Sequence, residues 1–172
     1  MRHPLHQFGY CPKCGANDFH ENNEKSNKCG NCGFVFYFNI SAAVAVFILN
    51  DKNELLVCKR AHDPAKGTLD LPGGFVDMRE SAEEAAYREV KEETGLKITR
   101  LEYQFSLPNT YVYSDFEVQT LDLIYTAFAE NDLKLTANDD VSEAFFMPID
   151  QLNALEFGLN SIREAITRFI IR

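Results

Sequence analysis

Three glutamates, Glu89, Glu92 and Glu93, crowd the end of the stretch YREVKEETGL at residues 87–96, just before a glycine that suits a helix stop. Carboxylates are misplaced there, because the carbonyl dipoles already make a helix C-terminus negative. Two of them about 4 Å apart also repel by roughly 4 kcal/mol at an effective dielectric of 20. A divalent cation removes both costs, and oxygen ligands without a nearby histidine select Mg²⁺ or Mn²⁺. The preceding turn Pro72-Gly73-Gly74 exposes its backbone and offers a bare carbonyl to the same ion.

A second constellation opens the chain. Cys11 and Cys14 form one C-x2-C pair and Cys29 and Cys32 another, with fourteen residues between the pairs. Each pair brings two thiolates to one ion, and four thiolates close a tetrahedral zinc site with no open position, so the role is structural. Disulfides are the alternative; the reducing compartment expected for this chain disfavours them. A redox role fits poorly with two matched pairs and no βαβ pattern around them. Gly15, Gly30 and Gly33 stand where the metal-binding turns need an unhindered backbone. Segment 1–36 is poor in apolar residues and cannot fold on a core of its own; metal binding could supply the difference. Its charges nearly cancel, which is no nucleic-acid footprint. Cys58 stands alone in an apolar run and fits a small core residue.

The elements follow from periodicity. Ser81 and Glu84 form a capping box that starts a helix over 82–94. At about 100° per residue, Ala82, Ala85 and Ala86 share a face that Glu89, Glu92 and Glu93 continue, with Glu84, Arg88 and Lys91 roughly opposite. The acids therefore extend the inward stripe. Strands are expected at 40–49 and 54–60 around the turn NDKN, then near 98–105, 110–114 and 118–129. A last amphipathic helix over about 160–171 places Ile162, Ala165, Ile166, Phe169 and Ile170 on its core face. Mixed strands and helices make the class α/β, with a zinc ribbon at 1–38 and the main domain at 39–172.

The chain has 172 residues and a formal net charge of −9, which disfavours nucleic-acid and membrane surfaces. The start lacks the apolar core of a signal peptide, and the run AAVAVFIL at 42–49 is too short to span a bilayer. A cytoplasmic protein with a small-molecule partner is expected.

Residues 74–96 resemble the signature of the Nudix hydrolases, G-x5-E-x7-R-E-U-x-E-E-x-G-U with U aliphatic. Gly74, Glu80, Arg88, Glu89, Val90, Glu92, Glu93, Gly95 and Leu96 match every fixed position. The flanking LPGG and the later EAFFMPIDQL extend the likeness over about 40–172. The resemblance implies an α/β/α sandwich with a mixed sheet. It also implies Mg²⁺-dependent cleavage of a nucleoside diphosphate linked to another group. By it, Glu89, Glu92 and Glu93 hold the metals with the Gly73 carbonyl, Arg88 orients the glutamates, and Glu80 holds the junction of loop and helix. The general base is Glu89 or an acid outside the signature, for which Asp140 and Glu143 are candidates.

A zinc ribbon ahead of such a domain is similar to the NADH pyrophosphatase branch, whose motif S-Q-P-W-x-F-x-x-S is partly kept in SLPNTYVYS. Ser106, Pro108 and Ser114 match and Tyr111 supplies an aromatic, while Leu107 and Asn109 replace Gln and Trp. Tyr111, Tyr113 and Phe75 are candidates to stack on adenine, with Ser106 beside them. NAD(H) or an ADP-ribose type of substrate, cut to release AMP, is the leading expectation, and the branch implies a homodimer. The alternatives are a house-cleaning nucleoside triphosphate pyrophosphatase and a non-catalytic regulator that binds nucleotide or nucleic acid. A capped RNA end receives no support from the acidic composition.

Overall fold

The computed structural model describes residues 3–129 and 135–171. The chain divides into two compact units, Met1–Ile40 and Ser41–Arg172. In the first, strands β1 (Phe19–Asn23), β2 (Ser26–Cys29) and β3 (Val35–Tyr37) form an antiparallel sheet in that order. Its buried cluster is small, with Cys11, Phe19 and Cys29 packed by Ala16 and Phe34.

The second unit is built on strands β4 (Ser41–Leu49), β5 (Glu54–Arg60), β6 (Leu69–Asp70), β7 (Ile98–Tyr113), β8 (Phe116–Ala129) and β9 (Val141–Pro148), with helices α1 (Ala82–Thr94) and α2 (Asn160–Ile170). The sheet order is β6-β5-β4-β8-β7, with β9 paired to the outer side of β5. β4 runs parallel to β8 over its whole length, from Ser41 opposite Thr120 to Leu49 opposite Phe128. The other pairings are antiparallel, so the sheet is mixed.

Side chains alternate across the sheet and create two cores. Val44, Val46 and Ile48 of β4 meet Ala85, Ala86 and Val90 of α1. Ala45 and Phe47 meet Ile162, Ala165 and Ile166 of α2 on the other face. β4 is thus apolar on both sides, which explains its nearly unbroken hydrophobic run. The result is the α/β/α sandwich. Among the described residues, no helix is long and apolar enough to cross a membrane.

The central sheet opens where the site lies. β4 and β5 pair only at Leu49 and Leu55, beside their hairpin turn. Beyond it the strands part, and the segment after β6 lies along β4. Val46 N–H donates to Pro72 O at 2.9 Å, Val44 N–H to Gly74 O at 2.8 Å, and Val76 N–H to Ala42 O at 3.0 Å.

Three expectations need correction. The strands expected near 98–105 and 110–114 are one strand, β7. Pro108 does not break it because β7 is the edge of the sheet, where a missing N–H disrupts no ladder. Ile170 does not join the core; it is 41% exposed, at the end of a helix whose inward face is Ile162, Ala165 and Ile166. Glu143, a candidate for the acid outside the signature, lies within strand β9 and pairs with Lys59.

Candidate active site and metal centre

α1 forms as its ends require. The Ser81 side chain accepts from Glu84 N–H, the Glu84 carboxylate accepts from Ser81 N–H, and Gly95 closes the helix at φ 71°. Within this frame the three glutamates have unlike surroundings. Glu93 is 6% exposed and its Oε2 accepts from Gly73 N–H at 2.9 Å. Glu89 is half-buried, and Glu92 lies at the exposed rim.

Arg88 is the main correction to the helical wheel. Rather than facing solvent opposite the acids, its guanidinium folds back among them. Nε and Nη2 donate to the two oxygens of Glu80, each at 2.8 Å. Nη1 donates to Glu89 at 2.7 Å and to Glu92 at 3.2 Å, and Nη2 also reaches Phe75 O at 3.0 Å. One fork thereby joins the loop, the helix start and the acidic end. It neutralises Glu89 and Glu92 only in part, and it does not touch Glu93.

The glycines ahead of α1 permit this approach. Gly73 has φ 151°, and a Cβ there would lie 2.1 Å from Val44 O. A Cβ on Gly74 would lie 2.5 Å from Oε1 of Glu89. The carbonyls of Pro72 and Gly74 are taken by β4. Alternation along extended backbone turns the Gly73 carbonyl the other way, the side on which its N–H meets Glu93.

The charge balance suits a cation. Burial pushes the Glu93 carboxyl up to about 9, against the pull of Gly73 N–H, and the neighbouring Glu89 and Asp70 push in the same direction as burial. Burial also raises Glu89, with Arg88 opposing. By contrast the Arg88 hydrogen bonds hold Glu80 down at about 2. The acids that need a further positive charge are thus those on the cleft side of α1. Carboxylate oxygens and a backbone carbonyl are the donor set of a hard divalent ion.

These acids line a cleft of about 580 Å³. Phe75 and Tyr111 form its aromatic wall, edge to face with centroids 5.8 Å apart. Arg60 braces that wall: it donates to Asp70 at 2.6 Å and to the Tyr111 hydroxyl at 3.2 Å. Tyr113 reaches the cleft at its open end and is 66% exposed. Asp139 and Asp140 border the acidic side.

Two expected site residues do not line the cleft. Ser106 is out of phase with Asn109, Tyr111 and Tyr113 on β7, and its side chain points to the opposite face. Glu143 stands on β9 and pairs with Lys59 at 3.2 Å. Conversely, Asn109, Thr120 and Asp122 line the cleft without having been singled out for it. The period-two pattern that leads from Tyr111 back to Asn109 was available in the sequence.

In the first unit the four cysteine sulfurs lie within 4.8 Å of one another, the only such set of three or more metal-ligating groups among the described residues. Cys11 and Cys32 sulfurs are 3.7 Å apart, as are those of Cys14 and Cys29. Gly15 and Gly33 take φ 72° and donate back to the carbonyls of Cys11 and Cys29, making two alike turns. The Ala16 backbone and the Asn31 side chain hold the Cys14 thiol down at about 6, whereas Cys32, against the pull of the Phe34 backbone, is pushed up to about 12 by burial and its cysteine neighbours. Thiols this close cannot all ionise without a cation among them. The cluster therefore fits a closed tetrahedral zinc site.

The NUDIX domain profile matches residues 40–169. An ADP-ribose pyrophosphatase of Methanocaldococcus jannaschii is 38% identical over 123 residues, 70% of this chain and 70% of that protein. A NAD-capped RNA hydrolase NudC of Vibrio atlanticus is 31% identical over 106 residues, 62% of this chain but only 39% of that protein. Among solved structures, a NUDIX hydrolase from Nitrosomonas europaea superposes with a TM-score of 0.73 at 20% identity, covering 94% of this chain and 90% of that one. The NUDIX domain of Shewanella oneidensis NrtR, crystallised with ADP ribose, gives 0.60 at 20% identity, with 78% and 90% covered. The chain belongs to the NUDIX family.

Proposed function

We propose that the protein is a Mg²⁺-dependent pyrophosphohydrolase that cleaves a nucleoside diphosphate derivative of the ADP-ribose or NAD(H) type and releases AMP. The observation that carries this reading is that Glu89, Glu92, Glu93 and Gly73 line one cleft together with the aromatic pair Phe75 and Tyr111. Glu89, Glu92, Glu93 and the Gly73 carbonyl would hold the divalent ions, which supply charge neutralisation for the diphosphate and acidify a bound water. Arg88 fixes Glu89 and Glu92 in place, and Glu80 fixes Arg88. Phe75 and Tyr111 offer a stacking surface for the base. Glu89, Asp139 or Asp140 takes the proton from the attacking water; Glu143 is bound to Lys59 and does not line the cleft.

The relatives support the substrate class, since one is named for ADP-ribose and another for an NAD-capped RNA. The four thiols would carry one structural zinc in a ribbon over 1–38, and unpaired thiols favour the cytoplasm. The homodimer implied by the NADH pyrophosphatase branch is tested by sedimentation. The activity is tested by incubating the protein with Mg²⁺ and, separately, ADP-ribose, NADH, NAD⁺, a diadenosine polyphosphate and an oxidised dGTP. AMP formed from ADP-ribose or NADH is the expected product. Cleavage of none of them overturns the assignment; cleavage of the oxidised dGTP alone redirects it to nucleoside triphosphates.

A further inference from the structure

At the α2 side of the cleft lies a polar floor that metal binding does not use. Asn109 of β7 is 8% exposed and lines the cleft, and no hydrogen bond engages its side chain among the described residues. Directly across the strand pair stands Thr120, and two residues further along β8 stands Asp122, 5% exposed and also lining the cleft. Asp122 is held from both sides. Thr120 Oγ1–H donates to its Oδ1 at 2.6 Å, and Ser161 Oγ–H, from the first turn of α2, donates to its Oδ2. The amide atoms of Asn109 reach the open cleft, where they can bond a ligand.

We propose that Asn109 and Asp122 read the amino edge of the nucleobase and make the site selective for a 6-aminopurine over a 6-oxopurine. The inference rests on the nucleotide reading of the cleft given above. The Asn109 amide presents one acceptor and one donor side by side, which complements the exocyclic N–H and adjacent ring nitrogen of adenine. An amide alone does not discriminate, because turned over it suits the reversed pattern of a 6-oxopurine equally well. Asp122 breaks that symmetry. Its clamping hydroxyls spend their protons on it, and a carboxylate has lone pairs left after two such bonds, so this part of the floor only accepts. A second amine hydrogen is welcome there; an O6 oxygen is repelled. Asn109 is the contact residue. Asp122 sets the polarity of the floor and, through Ser161, ties it to α2.

The test is equilibrium binding of AMP and IMP to the full chain by calorimetry without divalent metal, so that catalysis does not enter. Wild type should bind AMP at least ~10-fold more tightly than IMP, the scale of one good bidentate base contact. Asn109→Leu takes away a contact that AMP alone makes in full, so it should weaken AMP more than IMP and narrow the ratio at an unchanged melting temperature. Asp122→Asn, which gives the floor a donor, should narrow the ratio by improving IMP, and it decides the matter if the leucine variant does not fold. A wild-type ratio near one, no binding of either mononucleotide, or an unchanged ratio in the variants overturns the proposal. Failure of wild type to hydrolyse any of the five compounds named above would instead refute the enzymatic reading, and the AMP/IMP ratio is independent of it.

Discussion

Glu93 is a carboxyl that the fold keeps nearly dry, with one backbone N–H for company. Such a group is poorly stabilised as an anion until a cation arrives. Mg²⁺ should therefore raise the melting temperature of wild type, and Glu93→Gln should abolish that rise while leaving the metal-free fold intact. If the ion supplies several kcal/mol of charge stabilisation in the transition state, the same variant loses kcat by two to three powers of ten. Wild-type turnover in it would contradict the assignment. Glu80 behaves oppositely. Its carboxyl is held down at about 2 by Arg88, so its contribution to stability is complete above the unfolded value near 4.5 and disappears as pH falls toward 2. Glu80→Gln lacks this contribution, so the gap in melting temperature between wild type and variant should close on acidification from pH 6 to 2.5. A constant gap would mean that the charge on Glu80 is not what matters. At this scale the sequence revealed the acids by type and spacing, but not how Arg88 folds back among them. A helical wheel places Cα atoms, whereas a long guanidinium side chain returns across its own helix surface.

Helix α1 was legible almost to the residue, because its start and stop are set by local chemistry at Ser81, Glu84 and Gly95. Strand β7 was not, since Pro108 has one meaning inside a sheet and another at its edge, and edge position is a property of the tertiary fold. The same limit misplaced Ser106, whose side is fixed by parity along that unbroken strand. In α2 the apolar period runs on through Ile170, but it is Phe169, stacked on Phe47 with centroids 4.5 Å apart, that makes the last core contact. The difference is measurable. Ile166 is fully buried against the sheet and Ile170 is 41% exposed, so Ile166→Ala should cost about 2–5 kcal/mol. Ile170→Ala should cost under ~1 kcal/mol. Denaturant midpoints compare the two, and equal costs would show that the helix docks along its whole length. Gly73 belongs to this scale as well, because it sets how closely the turn approaches β4. Gly73→Ala would drive a Cβ into Val44 O at a φ that L-residues avoid, and should destabilise by about 1–3 kcal/mol.

Across the whole molecule, the two proposed metal sites differ in ligand softness. Thiolates gather in Met1–Ile40, and carboxylates with a backbone carbonyl gather in Ser41–Arg172. The two units also differ in how they are held together. The larger has two extensive apolar clusters on either face of its sheet, whereas the smaller buries few side chains, two of them the proposed zinc ligands Cys11 and Cys29. A core that small offsets little of the entropy of ordering its chain, so the proposed zinc would supply much of the unit's stability. A soft chelator that strips zinc should therefore unfold the first unit selectively. Followed by hydrogen exchange on the full chain, the amides of Gly15, Gly33 and Cys29, each bonded to a backbone carbonyl within this unit, should lose protection. The amides of β4 and β8, which lie between the two large cores, should keep theirs. One zinc per chain should be released as this occurs. Retained protection at Gly15 and Gly33 after complete zinc release would mean that the small unit folds on its apolar contacts alone.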